Sequence, residues 1–129
     1  MRDVVRAYIE KYQLLTESLP VLVGVSGGAD SIALLTLLVE SGYSCIAAHC
    51  NFHLRGDESV RDEQFTREYA GQLNVPFLKV DFDTRQYAAE HHLSIEMAAR
   101  ELRYNWFEEQ RLTTGAQAIA VAHHRDDSV

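Results

Sequence analysis

Cysteine, proline, tryptophan and lysine are all scarce in this 129-residue chain, and their scarcity narrows what the protein can be. Two cysteines, Cys45 and Cys50, are too few for a disulfide framework. Their odd separation on one predicted strand points them to opposite faces, as reduced packing residues. No apolar run approaches the roughly 20 residues that cross a bilayer, and Met1-Arg2-Asp3 lacks the basic-then-apolar layout of a secretory signal. A soluble, cytoplasmic protein with no membrane partner is expected. Lysine stands only at Lys11 and Lys79, and the formal net charge is −7. Holding a phosphate backbone needs clustered Lys and Arg, so this segment does not read as a free-standing nucleic-acid grip. Any nucleic-acid substrate would be held mainly by other domains or by a local arginine patch.

Both common nucleotide motifs are also missing. No Gly-Lys-Ser/Thr follows the first glycines, and Ser26 between Gly24 and Gly27, with no third spaced glycine, rules out G-x-G-x-x-G. What stands there instead is Val21-Leu22-Val23-Gly24-Val25-Ser26-Gly27-Gly28-Ala29-Asp30-Ser31, running straight into the apolar stretch Ile32 to Val39. A short Val/Leu run, a small-residue turn and a helix-length apolar segment make a strand feeding an anion-binding loop at a helix N-terminus. Gly27 and Gly28 let backbone N–H groups approach a phosphate, while Ser26 and Ser31 add hydroxyl donors beside the positive end of the helix. A carboxylate aimed at phosphate would repel it. Asp30 therefore reads either as a ligand to Mg2+ lying between them or as a helix cap facing away.

At 47% hydrophobic content the chain suits one domain with a proper core. Val4, Val5, Tyr8, Ile9 and Tyr12 predict an amphipathic helix from about residue 3 to 15. Strands are predicted at Val21, at Ser44 to Cys50, at Phe77 to Phe82 and at Ala118 to Ala122. Helices are predicted from Asp30 or Ser31 to about Ser41, after Asp57 with Phe65, Tyr69 and Leu73 on one face, and over about 84–90. A longer helix is capped by Ser94 and turns Ile95, Ala98, Ala99, Leu102 and Trp106 inward. Trp106 and Phe107 read as core and interface rather than as a base-stacking platform. Four apolar strands alternating with helices imply a parallel α/β sheet of at least four strands, with helices on both faces and right-handed crossovers. Sites in such sheets lie beyond the strand C-termini. That edge collects the Ser26–Ser31 loop, the His49–Arg55 loop, Asp81, Asp83 and the terminal cluster His123-His124-Arg125-Asp126-Asp127. His49, Cys50 and His53 do not form a zinc set, because Cys50 belongs to the strand and no second cluster has ligand spacing.

Ser26-Gly27-Gly28-Ala29-Asp30-Ser31 is similar to the S-G-G-x-D-S loop of the PP-loop ATP pyrophosphatases, enzymes that cleave ATP between its α- and β-phosphates. Three further stretches carry a narrower resemblance: His49-Cys50-Asn51-Phe52-His53-Leu54-Arg55-Gly56, Glu96-Met97-Ala98-Ala99-Arg100-Glu101-Leu102-Arg103-Tyr104, and Ala122-His123-His124-Arg125-Asp126-Asp127. In this order they resemble the tRNA(Ile)-lysidine synthetases.

The resemblance implies the Rossmann-like PP-loop ATP pyrophosphatase fold, also called adenine nucleotide alpha hydrolase-like. Residues 1–129 would be an N-terminal synthetase domain, cut short at its C-terminal end and lacking the family's C-terminal tRNA-binding domains. The implied substrates are ATP with Mg2+, free lysine and tRNA(Ile), with a homodimer allowed. The implied chemistry is adenylation of the wobble cytidine with loss of pyrophosphate, followed by displacement of AMP by the lysine amine. Ser26, Gly27, Gly28, Ala29 and Ser31 would hold phosphates, with His49 near the nucleotide at the end of the second strand. Asp30 and Asp127 would hold Mg2+ or order the loop, and His123 would sit beside the metal or the reacting phosphate. Arg103, ahead of Arg100, would face phosphate; a surface ion pair with Glu96 or Glu101 is the competing reading. Another PP-loop enzyme, a tRNA thiolase or an amidating synthetase, and a non-catalytic nucleotide-binding module are the alternatives; no C-x-x-C of the thiolase kind occurs.

Overall fold

Continuous apolar runs are what strands covered on both faces require; Val21–Gly24, Ala118–Val121 and most of Cys45–Asn51 are such runs, while Phe77–Asp81, at the sheet edge, alternates with the exposed Lys79 and Asp81. The computed structural model describes residues 18–122; the helix expected over 3–15 and the cluster expected at 123–129 lie outside the described residues. In chain order the elements are β1 (Val21–Gly24), α1 (Ala29–Glu40), β2 (Cys45–Asn51), α2 (Asp57–Gln72), β3 (Phe77–Asp81), α3 (Thr84–Glu90), α4 (Ile95–Thr114) and β4 (Ala118–Val121). The strands lie in the order β3-β2-β1-β4. All neighbours are parallel, with Val21 in register with both Cys45 and Ala118, and Ala47 with Phe77.

The period of two along each strand sorts the core into two layers. On one face Val21, Val23, Cys45 and Ala47 pack under Leu34, Leu35 and Leu38 of α1 and Ala70 of α2. Those leucines are fully buried, each stabilising the fold by about 1.5–3 kcal/mol. On the other face Leu22 and Ala48 meet Phe107 of α4 and Ala116, with Ile46, Cys50, Leu78 and Val121 at the margins. Cys45 and Cys50 thus fall on opposite faces, as their spacing implies. The chain steps from β1 to β2 to β3 with helices on one face, then reverses past β1 to β4 with α4 on the other. Reversing direction and face together keeps every crossover of one hand.

Gly24 lets α4 sit directly on the sheet. A Cβ there would lie 2.8 Å from the Phe107 ring and 2.8 Å from Val121 Cγ1. Ser94 caps α4 as expected, its Oγ accepting the Met97 N–H at 3.1 Å, and Gly115 ends it at φ 74°. The inward stripe of α4 gains one residue at its far end: Trp106 is half-buried and packs on the second core layer as expected, and Phe107 beside it is buried at 3% exposure. The helix changes partner along its length, lying first against α3, with Tyr87 Oη donating to Glu101 at 2.8 Å, and then against β1 and β4. Ala98 and Phe107, its two buried residues, are nine positions apart and so about half a turn out of phase. On α2, Tyr69 and Leu73 pack on the first core layer, while Phe65 is half exposed and stacks on Tyr69.

Candidate nucleotide-phosphate site

The loop after β1 is tied in place by its own small residues. Val25 donates its N–H to the Ala48 carbonyl at 2.9 Å, carrying the sheet pairing one residue beyond the strand. Ser31 Oγ accepts the Ser26 N–H at 3.2 Å and donates to the Gly28 carbonyl at 2.9 Å; Ser26 Oγ accepts the Gly28 N–H at 3.3 Å. Gly27 has φ 96°, a conformation that side chains rarely adopt. Gly28 is extended, at φ −80° and ψ 163°, and no side chain caps α1. A Cβ on Gly28 would meet only Ser26 Oγ, at 3.5 Å. The loop therefore keeps open space in front of an uncapped helix start, where an anion can take the capping role.

Beside the loop lies a cavity of about 200 Å3. Gly24, Val25, Ser26 and Ser31 form its floor, Cys50 and Phe52 come from the end of β2, Arg103 and Phe107 from α4, and Val121 and Ala122 from β4. It sits where the strand order reverses between β1 and its two neighbours, the place at which open α/β sheets take ligands. Arg103 makes no ion pair among the described residues, so the competing pairing with Glu96 or Glu101 is not formed. Its guanidinium carbon lies 5.4 Å from the Tyr104 ring centre. Arg100 does not line the cavity. Burial pushes the Cys50 thiol up to about 12, against the lowering influence of the Arg103 charge, so it is a packing residue rather than a nucleophile. Burial likewise takes Cys45 to about 11.

The structure does not bring every expected residue to the cavity. His49 is 3% exposed, donates from Nδ1 to the Val25 carbonyl at 2.8 Å and stacks on Phe77. It lies on the α1/α2 face of β2, opposite Cys50, so it braces the start of the loop instead of lining the cavity. Asp30 is half-buried in the first turn of α1 and is not a lining residue. One carboxylate beside a phosphate cradle fits Mg2+ that arrives with phosphate oxygens as ligands, not a preformed protein cage. His123 and Asp127 lie outside the described residues. Phe107 and Phe52, the latter within the His49–Gly56 stretch, line the site although neither was a candidate site residue; the residue alternation along β2 is the signal that indicates which side chains face α4.

A polar chain supports the sheet edge beyond. Asn51, 3% exposed, donates from Nδ2 to Glu63 at 3.2 Å and accepts the His53 N–H at 3.0 Å. His53 Nε2 meets Asp81 at 2.8 Å, and Lys79 Nζ meets the same carboxylate at 2.6 Å. Hydrogen bonds from Lys79, then His53, hold the Asp81 carboxyl below the usual carboxylate range.

A parallel sheet with a glycine–serine loop at its strand reversal and an arginine lining the same cavity is the layout that suits a phosphate-binding α/β domain. The family model of the PP-loop domain, an ATP-binding family, matches residues 2–129, and the chain belongs to that family. Its curated relatives include a tRNA(Ile)-lysidine synthase of Parabacteroides distasonis, 69% identical over 129 residues, and one of Bacteroides thetaiotaomicron, 58% identical over 122 residues. These alignments cover 100% and 95% of this chain but 30% and 29% of the relatives, so the chain spans about three-tenths of their length. Among solved structures, the NH3-dependent NAD synthetase of Campylobacter jejuni superposes with a TM-score of 0.66 at 16% identity, covering 92% of this chain and 53% of that one. The NMN synthetase of Francisella tularensis gives 0.65 at 15% identity, covering 91% and 50%. Both likenesses show the fold alone.

Proposed function

We propose that this chain is the N-terminal, ATP-binding domain of a longer cytoplasmic tRNA(Ile)-lysidine synthetase. The observation that carries this reading is the 69% identity, across the whole chain, to a protein so named. Ser26, Gly27, Gly28, Ala29 and Ser31 hold the ATP phosphates through loop N–H groups and hydroxyls, and Arg103 faces the phosphate on which charge grows. The wobble cytidine's C2 carbonyl oxygen attacks the α-phosphorus, the bond to the β-phosphate breaks, and pyrophosphate leaves. The amine of free lysine then attacks C2 and expels AMP. Asp30 and Asp127, the latter outside the described residues, would hold Mg2+, which would neutralise charge on the leaving group when bound. His123, outside the described residues, would serve the same phosphates. Recognition of tRNA belongs to the part of the protein beyond this chain.

The test is nucleoside mass spectrometry of tRNA(Ile) after incubation of the complete enzyme with ATP and lysine. The reading predicts a cytidine heavier by one lysine less one water. An unchanged cytidine, or a thiolated base, would contradict it.

A further inference from the structure

A second cavity, of about 390 Å3, opens at the C-terminal ends of β2 and β3, and Phe52 lines both it and the nucleotide cavity. Phe52 and Phe82 both line it and stack on each other, with ring centres 5.7 Å apart and planes 23° apart. Both are half-buried, and neither belongs to the two core layers. Two aromatic rings that the core does not use are thus held at the ligand edge of the sheet. Their setting is rigid. Thr84, 1% exposed, donates to the Phe52 carbonyl at 2.9 Å, and Phe82 donates its N–H to the Asn51 carbonyl at 2.9 Å. His53 sits at φ 53°, a sparsely populated conformation for a residue with a Cβ, maintained by Asn51 and Asp81.

The cavity's charges point to its occupant. Asp81 is already engaged by His53 and Lys79, and Asp83 is used as the cap of α3, accepting the Gln86 N–H at 3.2 Å. Arg85 lines the cavity, is exposed, and makes no ion pair among the described residues. Lys79 offsets the charge of Asp81, Asp83 keeps its charge at the N-cap of α3, and the available guanidinium with the aromatic pair suits a flat base with its phosphate. We propose that this cavity seats one unpaired nucleobase of the RNA substrate, stacked against the Phe52–Phe82 pair with Arg85 on its phosphate, next to the ATP. Single-stranded RNA bases are commonly held in this way, by aromatic faces with polar groups at the edge. The inference rests on the reading of the substrate as tRNA(Ile).

The experiment uses the complete enzyme and an anticodon stem–loop RNA carrying 5-iodocytidine at an unpaired position. It reads photocrosslinking, RNA affinity and ATP affinity in wild type, Phe82→Leu, Phe82→Trp and Arg85→Ala. A crosslink to Phe52 or Phe82 is expected. Phe82→Leu should weaken RNA binding about tenfold or more at unchanged ATP affinity, with recovery in Phe82→Trp. Arg85→Ala should weaken RNA binding and make it less salt-dependent. Arg85 is exposed, so that variant decides the matter if Phe82→Leu does not fold. Wild-type RNA affinity in the variants that fold overturns the cavity's role while leaving tRNA modification by the wild type intact. A wild type that binds ATP but neither binds nor modifies tRNA(Ile) overturns the substrate reading and the nucleobase with it.

Discussion

At the scale of single residues, Gly27 and Gly28 serve different ends although they are adjacent. Gly27 is needed for its backbone: at φ 96° a side chain is strained, and its Cβ would come within 3.1 Å of Asp62 Cβ. Gly27→Ala should therefore lower unfolding stability by about 1–2 kcal/mol in a denaturant titration. Gly28 is needed for the space in front of it. Gly28→Val should abolish nucleotide binding in a titration calorimetry experiment while costing far less stability, and unchanged affinity would remove the loop from the site. Asp81 gives a pH signature. Its folded carboxyl titrates below its unfolded value of about 3.9, so its contribution to stability is present above that pH and is lost as pH falls through the lower, folded value. Asp81→Asn should flatten the acid limb of the melting-temperature profile below about pH 4 and leave it unchanged in shape near neutrality. The turn of the Ser26–Ser31 loop was legible in the sequence because glycine and serine act through local backbone chemistry. His49 was not, because its direction depends on which face of β2 it occupies. Arg103 was half legible: the chain narrowed the cation to two positions one turn apart, and only packing against β1 and β4 chose between them.

At the scale of elements, α4 links the core to the site. Ser94 fixes its start, and Ser94→Ala should cost about 1 kcal/mol on thermal unfolding. Phe107 is the side chain that seats it on Gly24. Phe107→Ala should cost about 3–5 kcal/mol and also loosen Arg103 from the cavity, whereas Trp106→Ala, at a half-buried position, should cost clearly less. Equal losses in the two variants would contradict the seating described. The apolar stripe of α4 was readable through Trp106, which packs on the Phe107 cluster. Phe107 itself fell outside that stripe because the helix exchanges α3 for the sheet, and a constant period of 3.6 residues cannot register a change of partner. The strands were read to within a residue, since a continuous apolar run bounded by Gly, Pro or Asn leaves little freedom.

At the scale of the whole molecule, the order β3-β2-β1-β4 places the Ser26–Ser31 loop at the strand reversal, and the alternation of strand and helix in the sequence already required such an edge. The cavities themselves were not legible, because they arise from residues distant in the chain, Gly24 and Arg103 among them, meeting at that edge. A net charge of −7 offers little of the counterion release that drives tRNA binding. Residues 1–129 alone should therefore fail to shift tRNA(Ile) in a gel titration at physiological salt, where the complete enzyme shifts it; sub-micromolar, tRNA(Ile)-selective binding by residues 1–129 would contradict this. The central claim is that the Ser26–Ser31 loop and Arg103 serve cleavage of ATP between its α- and β-phosphates. It is tested most directly by following α- and γ-labelled ATP in the complete enzyme with tRNA(Ile) and lysine. The account predicts AMP and pyrophosphate in equal amounts, one of each per lysine incorporated, with both lost in Gly28→Val. Formation of ADP and inorganic phosphate, or pyrophosphate release that continues in Gly28→Val, would contradict it.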